Sequence, residues 1–282
     1  MKIALIDSNY LCYRAFFTTP ELKHGNIKTG IIFGFLNQLL NIGKSVKADQ
    51  YVFVWDSKKS IRKNHCSFYK EKRKNNSDED EEQWAEAFKQ FNLLRKEILP
   101  EIGFQNLIQS GYEADDVIAS IVQNNSDHEF IIVTNDDDLF QLLDYADIYN
   151  LGSNKFITKD SFAEEYGIEP SRWAEVKAVA GCSSDSIPGV QGVGEKKAIS
   201  YLTGEMNPDS KIYRRIEDPK NEKFLERNRW LVYLPLPNTE KFEIQTDNSI
   251  DMRAFSRICK SYGIRKLINP DKYDEWEVYF GK

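Results

Sequence analysis

Residues 2–7 read KIALID, a short β-branched and apolar run that stops on an aspartate. Two later stretches repeat the pattern: Tyr51–Asp56 reads YVFVWD and Phe130–Asp136 reads FIIVTND. Such runs fit strands buried on both faces, as in a parallel sheet. Open parallel sheets place their sites just outside the carboxyl ends of the strands. Asp7, Asp56 and Asp136 would then meet at one edge, where mutual repulsion is costly unless a cation joins them. The expected solution is a hard divalent metal held by oxygen ligands.

Between these runs the apolar spacing turns helical. Thr29–Leu40 (TGIIFGFLNQLL) predicts a helix. Trp84–Leu99 predicts an amphipathic one, with Ala87, Phe91, Leu94 and Ile98 on one stripe. Tyr112–Val122 predicts a third, with Ile118, Ile121 and Val122 turned inward, while Phe104–Ile108 and Ile148–Leu151 predict further strands. Strand–helix alternation means an α/β fold on a parallel sheet. The character changes after about Thr158. Asp160 is the expected N-cap of the next helix, Gly167 its C-cap, and Pro170 lies near a following first turn. Short helices and tight turns run to Leu202, residues 207–237 are charged and weakly patterned, and Met252–Leu267 predicts a closing helix. This divides the chain into a core, 1–157, and a helical module, 158–282.

The length of 282 residues permits a sizeable core, and the apolar and charged fractions (41% and 29%) exclude a disordered chain. No apolar stretch approaches the roughly 18 residues of a membrane span. The N-terminus enters a strand at once, with no signal peptide. Cys12, Cys66, Cys182 and Cys259 are scattered without a CxxC pair, which points to a reducing compartment and away from disulfides or a zinc site. His24, His65 and His128 are isolated as well. The net charge of −6 counts against a nucleic-acid partner, but distribution matters more than the sum. Lys58, Lys59, Arg62, Lys63, Lys70, Lys72, Arg73 and Lys74 form a basic run, and Asp78–Glu82 follow as an acidic one. On charge alone this is either a solvated loop of mixed sign or an electrostatic track.

More acids gather in two motifs. GYEADD (residues 111–116) opens a helix, where the helix dipole favours Glu113, Asp115 and Asp116 and the three-residue spacing puts Glu113 and Asp116 on one face. TNDDDLFQL (134–142) follows a strand, and Asp136 and Asp138, two apart on a turn, can point into one cleft. First-turn preference and Asx turns would also account for each motif taken singly. Asp185 lies further on, in GCSSDSIPG. Caps alone do not explain so many acids at strand ends and a helix start. Two Mg²⁺ ions about 4 Å apart would absorb the charge and could activate water and stabilise an in-line displacement at phosphorus. No Ser–His–Asp order or Cys–His pair offers a rival nucleophile.

Residues 187–198 read IPGVQGVGEKKA, between predicted helices at Arg172–Ala180 and Glu195–Tyr201. Gly189, Gly192 and Gly194 permit a tight turn, and amides at the second helix start form an anion site beside Lys196 and Lys197. This is a helix–hairpin–helix arrangement that would hold a DNA phosphate without reading sequence.

Taken together, the chain resembles the 5′ nuclease family: flap endonucleases of phages and cells, and the 5′→3′ exonuclease domain of bacterial DNA polymerase I. The resemblance spans nearly the whole chain. It rests on DSNYLCYRAFF (7–17), Thr29–Phe35, Phe53–Asp56, Arg62 with YKEKR (69–73), and GYEADD, TNDDDLFQL and GCSSDSIPGVQGVGEKKA in order and spacing, with closing segments at Arg227–Pro237 and Phe255–Leu267. It implies a PIN-like α/β parallel-sheet core, a helical arch at about residues 57–99 and a helix–hairpin–helix module. It implies Mg²⁺- or Mn²⁺-dependent hydrolysis of phosphodiesters near 5′ ends, at flaps, nicks or RNA primers on DNA, in replication or repair. Asp7, Asp56, Glu113, Asp115, Asp116 and Asp136 would serve the first metal, directly or through water, and Asp138 and Asp185 the second. Lys70 and Arg73 would engage the scissile phosphate, Tyr69 would guide the single strand, and Arg62 would help to steer it. Gly192, Gly194, Lys196 and Lys197 would grip duplex DNA, with K⁺ bound at the hairpin carbonyls. A monomer in the cytoplasm of a bacterium or phage host, working beside replication proteins, completes the expectation.

The chain departs from the family pattern at Cys182, where an Asp is usual, at Asp137, where a Lys is usual, and at Ser186, where an Asn is usual. Cys182 is a poor ligand for Mg²⁺, so the second site would bind more weakly, partly offset if Asp137 turns inward. A junction-binding protein with weakened catalysis is therefore a second reading. A phosphatase with an aspartyl-phosphate intermediate is a third, against which Asn9 stands where the general acid is usual.

Overall fold

The computed structural model describes residues 1–19, 21–71, 78–246 and 249–281. Strand β1 (Lys2–Asp7) passes directly into helix α1 (Ser8–Thr18), because Asp7 caps the helix by accepting the Tyr10 amide. A small hairpin, β2 (Lys23–His24) and β3 (Ile27–Lys28), leads to α2 (Gly30–Val46) and β4 (Gln50–Val54). Helices α3 (Ile61–His65) and α4 (Asp78–Leu93) follow. The single helix expected over Trp84–Leu99 is in fact a chain of segments: α4, a widened π-helical turn at Leu94–Ile98, and α5 (Leu99–Ile102). Pro100 has no amide to close an α-turn onto Lys96, which accounts for the change of winding.

The chain continues through β5 (Gln105–Leu107), α6 (Ala114–Asn124), β6 (Glu129–Thr134), β7 (Ala146–Asn150) and β8 (Lys155–Ile157). Next come α7 (Lys159–Tyr166), α8 (Trp173–Ala180), the two-strand ribbon β9 (Gly181–Cys182) and β10 (Ile187–Pro188), and α9 (Glu195–Leu202). Helices α10 (Lys211–Ile216), α11 (Glu222–Val232), α12 (Met252–Ser261) and α13 (Pro270–Phe280) close the chain. The cap of α7 is Thr158, paired with Ser161 in a capping box. Asp160, expected as the cap, lies in the first turn instead, while Gly167 ends the helix at φ +68°.

Among the described residues six strands form the main sheet, ordered β5-β4-β1-β6-β7-β8. All neighbours are parallel except β7 and β8, which run antiparallel with Ile148 opposite Ile157. The expected parallel sheet forms, and β8, which was not expected, adds one antiparallel edge: the short turn from Asn150 to Lys155 cannot make a parallel crossover. Strand β1 is central, and the chain builds outward from it first through β4 and then through β6. The order therefore reverses at the carboxyl end of β1, the place where open α/β sheets form their crevice.

Alternation along the strands explains why these runs read as continuously apolar. Ile3 and Leu5 face a core with Val52, Val54, Val117, Ile132 and Trp173, while Ala4 and Ile6 face another with Phe35, Phe53, Val133 and Phe255. Both faces are covered, so neither parity can be polar. Helices α12 and α13 belong to the second core: Trp276 is fully buried and stacks on Phe255 with ring centroids 4.1 Å apart. Helix α13 lies beyond the closing helix expected at Met252–Leu267, and Asn269 as N-cap before Pro270 is its helix-start signature. No helix among the described residues is long and apolar enough to cross a membrane.

Candidate metal centre

The three strand-end aspartates converge. Asp7 closes β1, Asp56 lies two residues beyond β4, and Asp136 two residues beyond β6. With Asp115, from the first turn of α6, they line one open cavity of about 370 Å³ that also receives Asn9, Lys70, Asp137 and Ser184. Caps and cavity are built from the same side chains. Asp7 accepts the Tyr10 amide at 3.1 Å and the Thr134 hydroxyl at 3.0 Å. Asp56 accepts the Ala114 amide at 2.8 Å, which ties the end of β4 to α6. Asp136 accepts the Asp138 amide at 2.9 Å.

This crowding favours protonation. Burial, then Asp56 and Asp136, push Asp7 up to about 7. Burial, then Asp136 and Asp7, raise Asp115 well above the carboxylate range, and burial followed by Asp185 and Asp137 raises Asp136. Unfolded carboxylates titrate near pH 4. Between that value and about 7 the folded, metal-free chain binds more protons at Asp7 and Asp138 than the unfolded chain does, so this contribution to stability falls as pH rises. Thermal melting in a chelator is expected several degrees lower at about pH 8 than at about pH 5.5, with the difference largely removed by added Mg²⁺. A melting temperature that climbs with pH across this window would count against the carboxylate crowd.

Lys70 is the ammonium of the cavity. It donates to Glu113 Oε1 at 2.9 Å and lies 3.8 Å from Asp185 Oδ2, and its own amide, at φ +53°, donates to the Asp185 carbonyl at 2.8 Å. Burial works to raise Glu113, but Lys70 and Arg62 outweigh it and hold its carboxyl below the usual value. Arg73, expected beside Lys70, lies outside the described residues.

Three expectations change here. Asp116 was expected at the first metal, and it is fully buried instead. Its oxygens take the Arg62 guanidinium at 2.5 and 2.8 Å, the Leu236 amide at 2.9 Å and the Glu113 amide at 3.2 Å. Four donors fill it, and none belongs to the cavity. Arg62, expected to steer DNA, is 2% exposed and also donates to the Leu231 carbonyl at 2.8 Å. Tyr69, expected to guide a strand, is 3% exposed, with its hydroxyl 2.8 Å from Glu113 and 3.0 Å from Asp185. Helical spacing put Glu113 and Asp116 on one face correctly, but the capping box at the start of α6 turns that face toward Arg62. Asp116→Ala would strand a buried guanidinium, so a loss of about 3–5 kcal/mol in denaturant unfolding is expected. A change within about 0.5 kcal/mol would mean that the Arg62–Asp116 pair is not what holds this turn.

A second cluster adjoins the first. Donor atoms of Asp138, Cys182 and Asp185 all lie within 4.8 Å of one another, as do those of Asp136, Asp137 and Asp138. The β9–β10 ribbon fixes Cys182 opposite Ile187, and Asp185 sits in the turn between the strands. Gly189 is obligatory there, because an added Cβ would come 1.9 Å from the Ala180 carbonyl oxygen. Burial and Asp136 push Asp138 up to about 7. Lys177 was missed in the sequence. It is 4% exposed, donates to Asp137 at 2.8 Å and Glu195 at 3.0 Å, and lies 3.4 Å from Asp138 Oδ1. A lone cation in the apolar helix WAEVKAVA was the available signal. Asp137, conditional on turning inward, does line the cavity but is held by Lys177.

The hairpin forms as read. Gly192 adopts φ +79°, Gly194 caps α9 without a side chain, and Lys196 and Lys197 are exposed beside it. Lys197 donates to the Gly192 carbonyl at 2.7 Å, the kind of carbonyl at which K⁺ was expected.

The all-oxygen set of Asp7, Asp56, Asp115 and Asp136 fits a hard divalent cation. The mixed set of Asp138, Cys182 and Asp185 fits it less well, although Asp138 Oδ1 is buried without a hydrogen-bond partner.

Comparison with known proteins gives a consistent result. Residues 2–167 match the family described as 5′-3′ exonuclease, N-terminal resolvase-like domain. The chain is 34% identical to a Bacillus subtilis 5′-3′ exonuclease, covering 95% of this chain and 99% of that one. It is 33% identical to DNA polymerase I of Caldicellulosiruptor bescii over 86% of its length, but spans only 30% of that polymerase. In fold it is similar to a bacteriophage T5 flap endonuclease solved as a pseudo-enzyme–product complex with DNA and metal ions, with TM-score 0.68, 20% identity and 99% coverage of both chains.

Proposed function

The chain belongs to the 5′–3′ exonuclease family, and from that premise we propose that it is a structure-specific 5′ nuclease, a flap endonuclease and 5′→3′ exonuclease. It hydrolyses phosphodiesters near the 5′ ends of DNA flaps, nicks and primer hybrids, in the cytoplasm, with Mg²⁺. The observation that carries the reading is the convergence of Asp7, Asp56, Asp115 and Asp136 with the Lys70 ammonium on one cavity at the sheet's switch point.

In this reading Asp7, Asp56, Asp115 and Asp136 hold the first cation, and Asp138 and Asp185 belong to the second position. Bound there, a divalent cation supplies Lewis acidity and charge neutralisation for attack of water on phosphorus. The remaining work falls to the chain. Lys70 presents its ammonium to the scissile phosphate, and Glu113 and Tyr69 hold the Lys70 segment in place. The Arg62–Asp116 pair fixes the first turn of α6, and so the position of Asp115. Exposed Lys196 and Lys197, with the amides at the start of α9, suit a phosphate of the downstream duplex. A K⁺ ion at the hairpin would have to displace the Lys197 ammonium from the Gly192 carbonyl.

Cleavage mapping on 5′-labelled flap, nicked and primer–hybrid duplexes, with and without Mg²⁺, tests this. Metal-dependent cuts near the junction or 5′ end are expected. Tight junction binding without cleavage under any divalent cation would favour the binding-protein reading instead.

A further inference from the structure

We propose that the half-site made by Asp138, Cys182 and Asp185 takes a borderline-soft divalent cation of the Zn²⁺ or Co²⁺ class in preference to Mg²⁺, with the Cys182 sulfur as a ligand. This rests on the reading of these residues as the second cation position.

The donors are held together by the fold. Cys182 and Asp185 are 7% and 8% exposed, and the sulfur, with one oxygen from each acid, lies within a 4.8 Å span. Cys182 is pinned by ribbon pairing to Ile187, and its Sγ lies 3.0 Å from the Ser184 hydroxyl and 3.8 Å from Asp138 Oδ2. A hydroxyl beside a sulfur ligand orients it, as partners of ligating groups commonly do. Asp138 Oδ1 is buried and makes no hydrogen bond; its near neighbour is the Lys177 ammonium, 3.4 Å away.

Charge then selects the ion. Lys177 lies 3.4 Å from Asp138 Oδ1, and Lys70 lies 3.8 Å from Asp185 Oδ2. Each carboxylate of the half-site therefore already faces an ammonium, while donor oxygens of Asp136 and Asp137 lie within 4.8 Å of one on Asp138. Mg²⁺ depends on electrostatic attraction to oxygen and gives up water reluctantly, so two shared carboxylates and a thiol hold it poorly. A softer cation gains bonding to sulfur that the ammonium groups do not compete for. On binding, the thiol proton passes to solvent and the sulfur ligates as thiolate.

The test is a Co²⁺ titration of the full chain followed by absorption spectroscopy, with Cys182→Ser and Cys182→Asp alongside. The natural chain is expected to give a sulfur-to-cobalt charge-transfer band that Zn²⁺ displaces and a large excess of Mg²⁺ does not. Both variants should lose it although Cys12, Cys66 and Cys259 remain in each, which assigns the band to Cys182. Cys182→Asp should also lower the Mg²⁺ concentration for half-maximal flap cleavage, by about tenfold. A band that survives in Cys182→Ser, or no band in the natural chain, overturns the inference. If cleavage with Mg²⁺ persists in that last case, the nuclease reading stands alone. A thiolate band without cleavage under any cation supports the half-site and rejects the nuclease.

Discussion

Asp136→Asn is expected to lower cleavage of a 5′-flap duplex in Mg²⁺ by roughly 10²–10³-fold, while folding and DNA binding persist. The substitution separates the two roles of this side chain. Its Oδ1 accepts the Asp138 amide at 2.9 Å, and an asparagine carbonyl can make the same cap. What is lost is one negative charge beside Asp7, Asp115 and Asp138, each of which it pushes up. Melting in chelator should therefore stay level or rise, because one source of repulsion has gone. Single-turnover cleavage and a binding isotherm on the same flap make the measurement. Undiminished turnover would remove Asp136 from the metal assignment. A parallel fall in stability would mean that the cap, and not the charge, mattered.

The second large effect is expected at Lys70. Lys70→Met should lower the single-turnover rate by roughly 10²–10³-fold, with a much smaller change in affinity for the duplex. The methionine keeps the length of the aliphatic stem without the ammonium and faces the same backbone geometry at φ +53°. The ammonium it removes lowers the carboxyls of Glu113, Asp115 and Asp136. Without it these groups ionise at higher pH, so the acidic limb of the pH–rate profile should move toward alkaline pH. Lost affinity with an unchanged rate and pH profile would make Lys70 a tether for DNA.

Much of the outcome was already present in local patterns. KIALID, YVFVWD and FIIVTND carry both the strand and the acid at its end, because a doubly covered parallel strand must be apolar at every position and must stop where the chain meets the crevice. The hairpin was legible for the same kind of reason: Gly189 and Gly192 meet backbone demands that other residues do not. Helix α13 was equally available through Asn269 and Pro270 and was overlooked. The antiparallel β8 carries only the short sequence KFI, too little to show its direction.

The side chains of the site divide along a physical line. Spacing and residue type determined which acids lie at strand ends and helix starts, since those signals depend only on backbone period and capping. Tertiary structure alone decided which of them face the cavity. Asp115 and Asp116 are sequence neighbours in the same helical turn, yet one lines the cavity and the other is sealed beneath Arg62. Arg62 and Tyr69 looked like surface groups of a basic segment, but a guanidinium and a phenol can be buried when carboxylates and carbonyls meet them. Lys177 reaches Asp137, Asp138 and Glu195 from a helix whose other charge is Glu175, across 18 to 40 residues of sequence. Partners that far apart leave no trace in local spacing, because only the packed chain brings opposite charges within reach.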